Sequence, residues 1–238
     1  MGARHSSSGD AMGFVFMLVF FGFFIVVAIW GYKKEQQRRK EIEDYCHRNR
    51  LEYSETANNI PSIAYDFSLL RDRGHTNRWE YEMAGVRGDY NFSIFEHYSV
   101  SGHGKHRHVS IDSICVLSKE NLRIPQFFVR EENRFFDSLG KLFGGQDINF
   151  DGDPEFSKKF VLQGMIERDI RDFFDRNIRR AFVLKHVAGY KYEGNCDCFM
   201  VSVPGRLALK DRLTMLSVAM GLFKEMVPRE DRYQENVF

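Results

Sequence analysis

The sequence predicts an α+β protein, in which an N-terminal transmembrane helix precedes a cytoplasmic domain of antiparallel strands with about three amphipathic helices. Three observations predict this class. A long run near the N-terminus carries no charged residue, runs of alternating polarity separated by glycines follow it, and later segments repeat apolar residues at every third or fourth position. Strand-like runs come together ahead of most helical ones, which favours segregated α and β elements over a βαβ sheet.

The N-terminal run has the length and composition of a membrane anchor. No charged residue lies between Ala11 and Tyr32. About 20 helical residues at 1.5 Å each span about 30 Å, which matches the hydrocarbon core of a bilayer. A cleaved signal peptide is the alternative, but its apolar region is shorter and its positive charge comes first. The run therefore predicts an uncleaved single-pass helix in the cell (inner) membrane.

The charges on either side of this run differ, and the difference predicts its orientation. Few charges precede it, whereas five cations follow within eight residues; we call these five the basic collar: Lys33, Lys34, Arg38, Arg39 and Lys40. Positive charge is retained on the cytoplasmic side. The N-terminus is therefore expected outside and the domain in the cytoplasm. The collar either fixes this orientation alone or also binds anionic headgroups.

Composition shifts divide the chain into five segments. They are a short extracytoplasmic tail (1–10), the transmembrane helix (11–32), a basic helical stalk (33–57), a soluble α+β domain (58–228) and a frayed tail (229–238). The stalk is predicted helical because it holds good helix formers and no glycine or proline over its first part. The break at Asn58 to Pro61 marks the start of the domain.

Within the domain, alternating apolar positions predict strands, and a three-to-four repeat predicts helices. The expected strands are 63–70, 78–84, 89–98, 108–117, 122–130, 160–163, 182–187, 190–193 and 198–203. The expected helices are 131–143, 166–180 and a last one that follows Pro204 and Gly205. Glycine or proline lies between many of these runs, as turns require.

Charge and cysteine content exclude two classes of protein. Lys plus Arg number 34 and Asp plus Glu number 33, so no positive excess exists for following a phosphate backbone, and nucleic acid is not an expected partner. The four cysteines are sparse and irregularly spaced. Because a disulfide scaffold is shorter and denser in cysteine, we expect reduced thiols.

Two patterns could ligate a metal. Asp147, Asn149 and Asp151 begin like a calcium loop, with glycine at its sixth position. The twelfth position, however, is Lys158, where the ion needs a bidentate glutamate. The alternative is an acidic turn, which we favour.

The second metal pattern is a histidine-rich loop. His103, His106 and His108 supply imidazoles, which are good zinc ligands. Lys105 and Arg107 alternate with them and would repel a divalent cation. A solvated basic loop is therefore the favoured interpretation, and no metal is assigned to either pattern.

Motifs that would carry catalysis or a cofactor are missing from the sequence. Cys196 and Cys198 lack the second cysteine pair of a structural zinc site. No P-loop, no dinucleotide-binding glycine motif and no serine-hydrolase elbow occurs. We therefore assign no catalytic residue and no cofactor, and an enzyme is less expected than a binding module.

Three motifs resemble a family of uncharacterised prokaryotic single-pass membrane proteins. The residues are Leu122 to Glu132, Phe143 to Phe150 and Asp153 to Phe160, which contain a Pro-x-Phe strand, a Phe-Gly turn with Asp-Ile-x-Phe, and Pro-x-Phe-Ser. Glu131 departs from the pattern, which has proline after Arg130. The resemblance supplies no catalytic residues. It implies that the acidic turn is a structural signature.

Two functions remain from the sequence. The first is a membrane-anchored, non-catalytic cytoplasmic module that binds a protein partner or acts as a scaffold, with the lipid bilayer as its other partner. The second is a membrane-tethered metal-dependent enzyme or metal sensor, which would use the His103 to His108 loop or the Asp147 to Asp153 turn. A contiguous apolar surface patch would favour the first, and a polar site that holds metal would favour the second.

Overall fold

The computed structural model describes residues 8–71, 76–132 and 147–227. Its first element is a single helix, α1 (Ser8–Arg48), of 41 residues. From Phe14 onward α1 is long and apolar enough to cross a membrane. It contains no break between the apolar run and the polar residues that follow, because residues 33 to 48 are good helix formers without glycine or proline.

The rest of the described chain is built on one antiparallel sheet of eight strands. The strands are β1 (Glu52–Thr56), β2 (Thr76–Arg87), β3 (Tyr90–Ser101), β4 (His108–Ser118), β5 (Ile124–Glu131), β6 (Phe160–Gly164), β7 (Lys191–Cys196) and β8 (Cys198–Pro204). Their order across the sheet is β1-β2-β3-β4-β8-β7-β5-β6. Every neighbouring pair is antiparallel. This confirms the predicted α+β class.

Helices cover one face of the sheet. They are α2 (Pro154–Lys159), α3 (Glu167–Phe173), α4 (Arg176–Lys185), α5 (Leu209–Met226) and the C-terminal part of α1. The core between these helices and the sheet is rich in phenylalanine; its rings include Phe127, Phe156, Phe160, Phe174, Phe182, Phe199 and Phe223. Ring centroids of neighbouring pairs in it lie about 5 to 6 Å apart, the spacing that aromatic pairs prefer.

The segment 57–71 covers the central strands on the opposite face. It contains a short 3-10 helix, Ser62–Asp66, and packs Ala64, Phe67 and Leu70 onto Phe95 and the neighbouring strands. The backbone N–H and hydroxyl of Ser68 donate to the buried carboxylate of Glu193 on β7. The sheet is therefore buried on both faces at its centre, which explains why most residues of β3 are buried without alternation.

Several expected elements differ from the structure. Residues 63–70, expected as a strand, form the 3-10 helix and a loop. Residues 182–187, also expected as a strand, largely belong to α4. The single helix expected over 166–180 is two helices, because Asp175 ends one segment and caps the next by accepting from the backbone N–H of Ile178.

The expected segment boundaries also shift. Helix α1 already includes residues 8–10 of the predicted tail, and the stalk predicted over 33–57 is helical only to Arg48, after which β1 begins at Glu52. The helix expected over 131–143 lies mostly outside the described residues, although Glu131 and Glu132 are described and Glu131 ends β5. The tail at 229–238 is likewise outside them.

Candidate functional site: the junction of α1 with the domain

The polar part of α1 is fixed to the domain along one stripe. Residues of this stripe recur at the three-to-four spacing of a helix face: Glu35, Arg38, Arg39, Ile42, Tyr45 and Cys46. Ile42 and Cys46 are fully buried in the main core. Positions 33, 34, 36, 37, 40 and 41 on the remaining surface are exposed. The helix that leaves the apolar run therefore enters the core without an intervening linker.

A buried carboxylate, Glu96 of β3, is the centre of the junction. Its Oε1 lies 2.6 Å from Arg38 of α1 and 2.6 Å from Arg212 of α5. Its Oε2 accepts a hydrogen bond from Arg206 at 3.1 Å. One side chain on the sheet thus joins α1, α5 and the segment that links β8 to α5.

Arg38 makes further contacts that hold α1 in place. Its guanidinium donates to the backbone carbonyl of Leu207 at 2.8 Å and to Glu35 at 2.7 Å. The hydrogen bond from Arg38 lowers the pKa of Glu35 to about 2, although burial acts in the opposite direction. Burial would lower the pKa of Arg38, but its hydrogen bonds to Glu35 and Glu96 outweigh burial and raise it. Both groups are therefore charged at neutral pH.

A β-bulge in β2 shapes the other side of the junction. The register between β2 and β3 shifts between Glu80 and Met83, and Tyr81 adopts a positive φ of 56°. The bulge aims the Tyr81 carbonyl at Arg212, which donates to it at 2.8 Å. The ring of Tyr81 stacks under the guanidinium of Arg39, whose Cζ lies 4.0 Å from the ring centroid. Bulges of this kind re-aim side chains and are built features rather than defects.

The charges of the junction do not balance. Four guanidinium groups, on Arg38, Arg39, Arg206 and Arg212, surround two carboxylates, on Glu35 and Glu96. Burial lowers the pKa of Arg212, which has no exposed surface, and Glu96 opposes that shift. The site holds a helix in place and carries excess positive charge. Among these residues nothing is placed as a nucleophile or general base.

The basic collar is divided by this arrangement. Arg38 and Arg39 point into the junction and are half-buried, whereas Lys33, Lys34 and Lys40 are exposed. The collar residues therefore differ in their contacts. Two of them bind protein groups.

The histidine candidates for metal binding lie on an exposed hairpin. His103 and His106 lie in the loop between β3 and β4, His108 is the first residue of β4, and all three are exposed. The acidic candidates lie beside β6, four strand spacings from β4 in the sheet order. Because strands are about 4.8 Å apart, the two sets are about 19 Å apart across the sheet and cannot share one ion. Within the described ranges no three His, Cys, Asp or Glu side chains are grouped to hold a metal.

The acidic turn has structural contacts of its own. Asp147 accepts a hydrogen bond from Gln163 at 3.0 Å, and the backbone carbonyl of Asn149 accepts one from Arg171 at 2.8 Å. Asp153 caps α2 and pairs with Arg179 at 2.9 Å. These bonds tie the turn to β6, α3 and α4. Asp151 is exposed.

The cysteines are free thiols. Cys46, Cys115 and Cys198 are buried, and burial raises the pKa of each thiol, to about 11 for Cys46. A raised pKa keeps a thiol protonated and unreactive at neutral pH. Cys196 is exposed and lies in the β7–β8 turn with a positive φ of 54°.

A buried histidine was not predicted as a site. The Nε2 of His186 lies 2.8 Å from Glu131, and its Nδ1 lies 2.8 Å from the hydroxyl of Tyr192. Burial lowers the pKa of His186, while Glu131 opposes the shift; the contact with His186 lowers the pKa of Glu131. Burial raises the pKa of Tyr192. The three groups join the end of β5 to the end of α4 and to β7.

These shifts predict that the domain loses stability on acidification. Because His186 binds a proton less readily in the folded chain, stability falls as pH drops through the ordinary histidine range, roughly 7 to 5. Glu131 causes a further loss of stability at lower pH, as the pH approaches the lowered pKa that this carboxyl has in the folded chain. In H186Q, thermal unfolding should depend less on pH over that window. Equal slopes for H186Q and the parent would contradict the assignment.

Grooves occur on the described surface of the domain, and two of them are candidate binding sites. One of about 760 Å³ runs between α2 and α4, and its walls include Asp153, Glu155, Arg176, Arg180 and Leu184. The other, of about 450 Å³, lies between the start of β5 and α3; we call it the distal groove, and it is lined by Leu122, Arg123, Ile124, Pro125, Asp169, Asp172, Phe173 and Cys196. Both are shallow and open, and neither contains the buried junction.

Comparison with known proteins supports the fold only. No family model matches the chain. No curated protein matches it either. Among solved structures, the chain is similar to the crystal structure of the mycobacterial trehalose monomycolate transport factor A, TtfA, with a TM-score of 0.54 and 8% sequence identity. The match covers 80% of this chain and 96% of that chain. The arrangement of sheet and helices described above therefore occurs in a second, very distant sequence.

Proposed function

We propose that this chain is a membrane-anchored, non-catalytic module, whose anchor helix holds the domain in one orientation at the cytoplasmic surface and whose far side binds a protein partner. The observation that carries the proposal is the continuity of α1 with the core. A tether that only recruits a domain needs a flexible linker, whereas a helix that ends in a buried ion cluster transmits its own orientation to the domain.

The direction in which α1 runs identifies the far side. Leu51, just after α1, lies against Gly85 of β2, while Arg38 lies beside Glu96. Gly85 pairs with Phe92 of β3, so α1 descends along β3 from Glu96 toward Phe92. We call the end of the sheet near Glu96 and Ser101 the proximal end and the opposite end the distal end. The distal groove lies at the latter, because β5 starts opposite Cys196.

The distal groove is the better candidate for a protein partner. Its lining combines apolar side chains with two carboxylates, Asp169 and Asp172, which outnumber its one cation, Arg123. Met165 and Ile166 are 73% and 59% exposed and immediately precede α3, and Ile166 lies three residues before Asp169. Large exposed apolar side chains beside a groove are typical of an interaction surface. The partner expected from this chemistry presents apolar and basic side chains.

The membrane part of the proposal is tested by extraction. The full chain should stay in the membrane fraction through alkaline carbonate washing, and deletion of residues 11–32 should release it. The alternative metal-dependent enzyme or sensor predicts stoichiometric zinc or calcium in the purified chain, which we do not expect. Release of the full chain by carbonate would contradict anchoring.

The partner surface is tested by photo-crosslinking in membranes of the native cell. A crosslinking residue in place of Ile166 should give a discrete protein adduct. The control places it at Lys210, an exposed position on α5 near the proximal end. D169K/D172K in the Ile166 background should abolish the adduct, because the carboxylates are expected to meet basic side chains. An adduct that is indifferent to this charge reversal would contradict the assignment.

A further inference from the structure

The β3–β4 hairpin carries a second, isolated concentration of positive charge. Residues 101–109 contain Lys105, Arg107 and three histidines and no acidic residue. The loop from Gly102 to His108 is exposed throughout. The metal hypothesis would use its histidines, whereas Lys105 and Arg107 serve neither that hypothesis nor the junction.

The hairpin has a defined shape. Gly102 has a φ of +73°, and a Cβ there would lie 2.1 Å from the carbonyl oxygen of His106, so no other residue fits without a change of the loop. The segment Gly104–His106 is a 3-10 turn, in which the N–H of His106 donates to the carbonyl of His103. The cations therefore stand on a structured tip rather than on a loose chain.

The topology brings this tip to the level at which α1 becomes apolar. Both elements can be measured from the contact between Arg38 and Glu96. From Glu96 to Ser101, β3 extends five residues, or about 17 Å, toward the tip. From Arg38 back to Tyr32, α1 rises six residues, or about 9 Å. The tip thus reaches the level of Tyr32 for any crossing angle between strand and helix up to roughly 55°.

The surroundings of the tip add charge of the same sign. Lys33 and Lys34 are exposed on α1 at this level. The junction below contributes two more cations than carboxylates. We infer that the β3–β4 hairpin docks onto an anionic lipid surface, with Lys105 and Arg107 against the headgroup phosphates. The inference rests on the proposed membrane anchoring and adds a second contact that fixes the rotation of the domain about α1.

Hydrogen exchange of the full chain in nanodiscs tests the docking. In discs with about one third phosphatidylglycerol, the amides of 102–107 should exchange more slowly than in phosphatidylcholine discs. Each Lys or Arg near an anionic surface favours contact roughly fivefold, so K105A/R107A should lose nearly all of this protection. The matched control neutralises two exposed cations at the distal end, R50A/R87A, and should keep it.

The outcomes separate the two proposals. If the chain fails to enter discs or float with vesicles, the anchoring itself is wrong. If the chain enters the discs but its hairpin exchanges equally fast in both lipids, contact does not depend on headgroup charge and the docking is wrong. The docking is also wrong if the hairpin stays protected in K105A/R107A. In both cases the anchoring stands.

Discussion

Replacing Glu96 by alanine should destabilise the folded domain by about 3–5 kcal/mol, the cost of leaving a buried charge without its partner. Arg212 has no exposed surface, and its only carboxylate among the contacts described is Glu96. Arg38 would lose the same partner, and α1 would lose one of the contacts that hold it against the sheet. Denaturant unfolding of the detergent-solubilised chain measures the change.

The control for this variant lies directly opposite in the sheet. Glu80 of β2 pairs in register with Glu96 and bridges to Arg78 at 3.2 Å, near the surface. Because exposed ion pairs contribute little, E80A should change stability by no more than about 1 kcal/mol. If E96A and E80A were equally mild, Glu96 would not be the centre of the junction.

The second large effect is expected at Phe182. Its fully buried ring contacts Phe160, Phe174 and Tyr192. Truncation of a buried phenylalanine to alanine costs about 3–5 kcal/mol through lost burial and the cavity that remains. F182A should therefore lower the unfolding midpoint strongly, in the same denaturant assay.

Leu184 provides the control and also distinguishes helix from strand. Positions 182 and 184 share a face in a strand but lie on nearly opposite faces of a helix. Leu184 is 70% exposed on α4. L184A should leave stability within about 0.5 kcal/mol of the parent. Comparable losses for both variants would support the strand expected from sequence and contradict α4.

The strands whose residues alternate in polarity could be predicted from the sequence. The elements whose burial depends on residues far away in the chain could not. β2, β3, β4, β5, β7 and β8 lie close to their expected positions. The strand expected over 63–70 is apolar because it covers the second face of the sheet, not because it pairs in it. Residues 182–185 belong to α4, which begins after its cap Asp175, whereas the sequence pattern alone favoured a strand there.

The junction could be predicted only in part. The collar and its position after the apolar run are evident from sequence, but Arg38 faces protein because Glu96 lies 58 residues further along the chain. Arg212 gave a local signal, since it lies three residues after Leu209 on the buried stripe of α5. The partner of Arg212 is Glu96, which lies far away in the sequence, and periodicity does not reveal such a pair. The bulge at Tyr81 likewise follows from the register of β2 against β3.

The junction bears on the function proposed above. Under that proposal, an α1 that moves together with the domain would keep the distal groove in a fixed direction relative to the bilayer and would set the height and angle at which a partner is met. The similarity to TtfA concerns the fold, and the transport of trehalose monomycolate stays with that protein.

The distance between α1 and the domain tests the central claim most directly. One spin label is placed by Q37C on the exposed face of α1, and the other on the native Cys196; the remaining cysteines are buried. In nanodiscs, electron–electron double resonance should give one narrow distance distribution, which E96A broadens. A broad distribution in the parent chain would show that the helix and the domain move independently and would contradict the account.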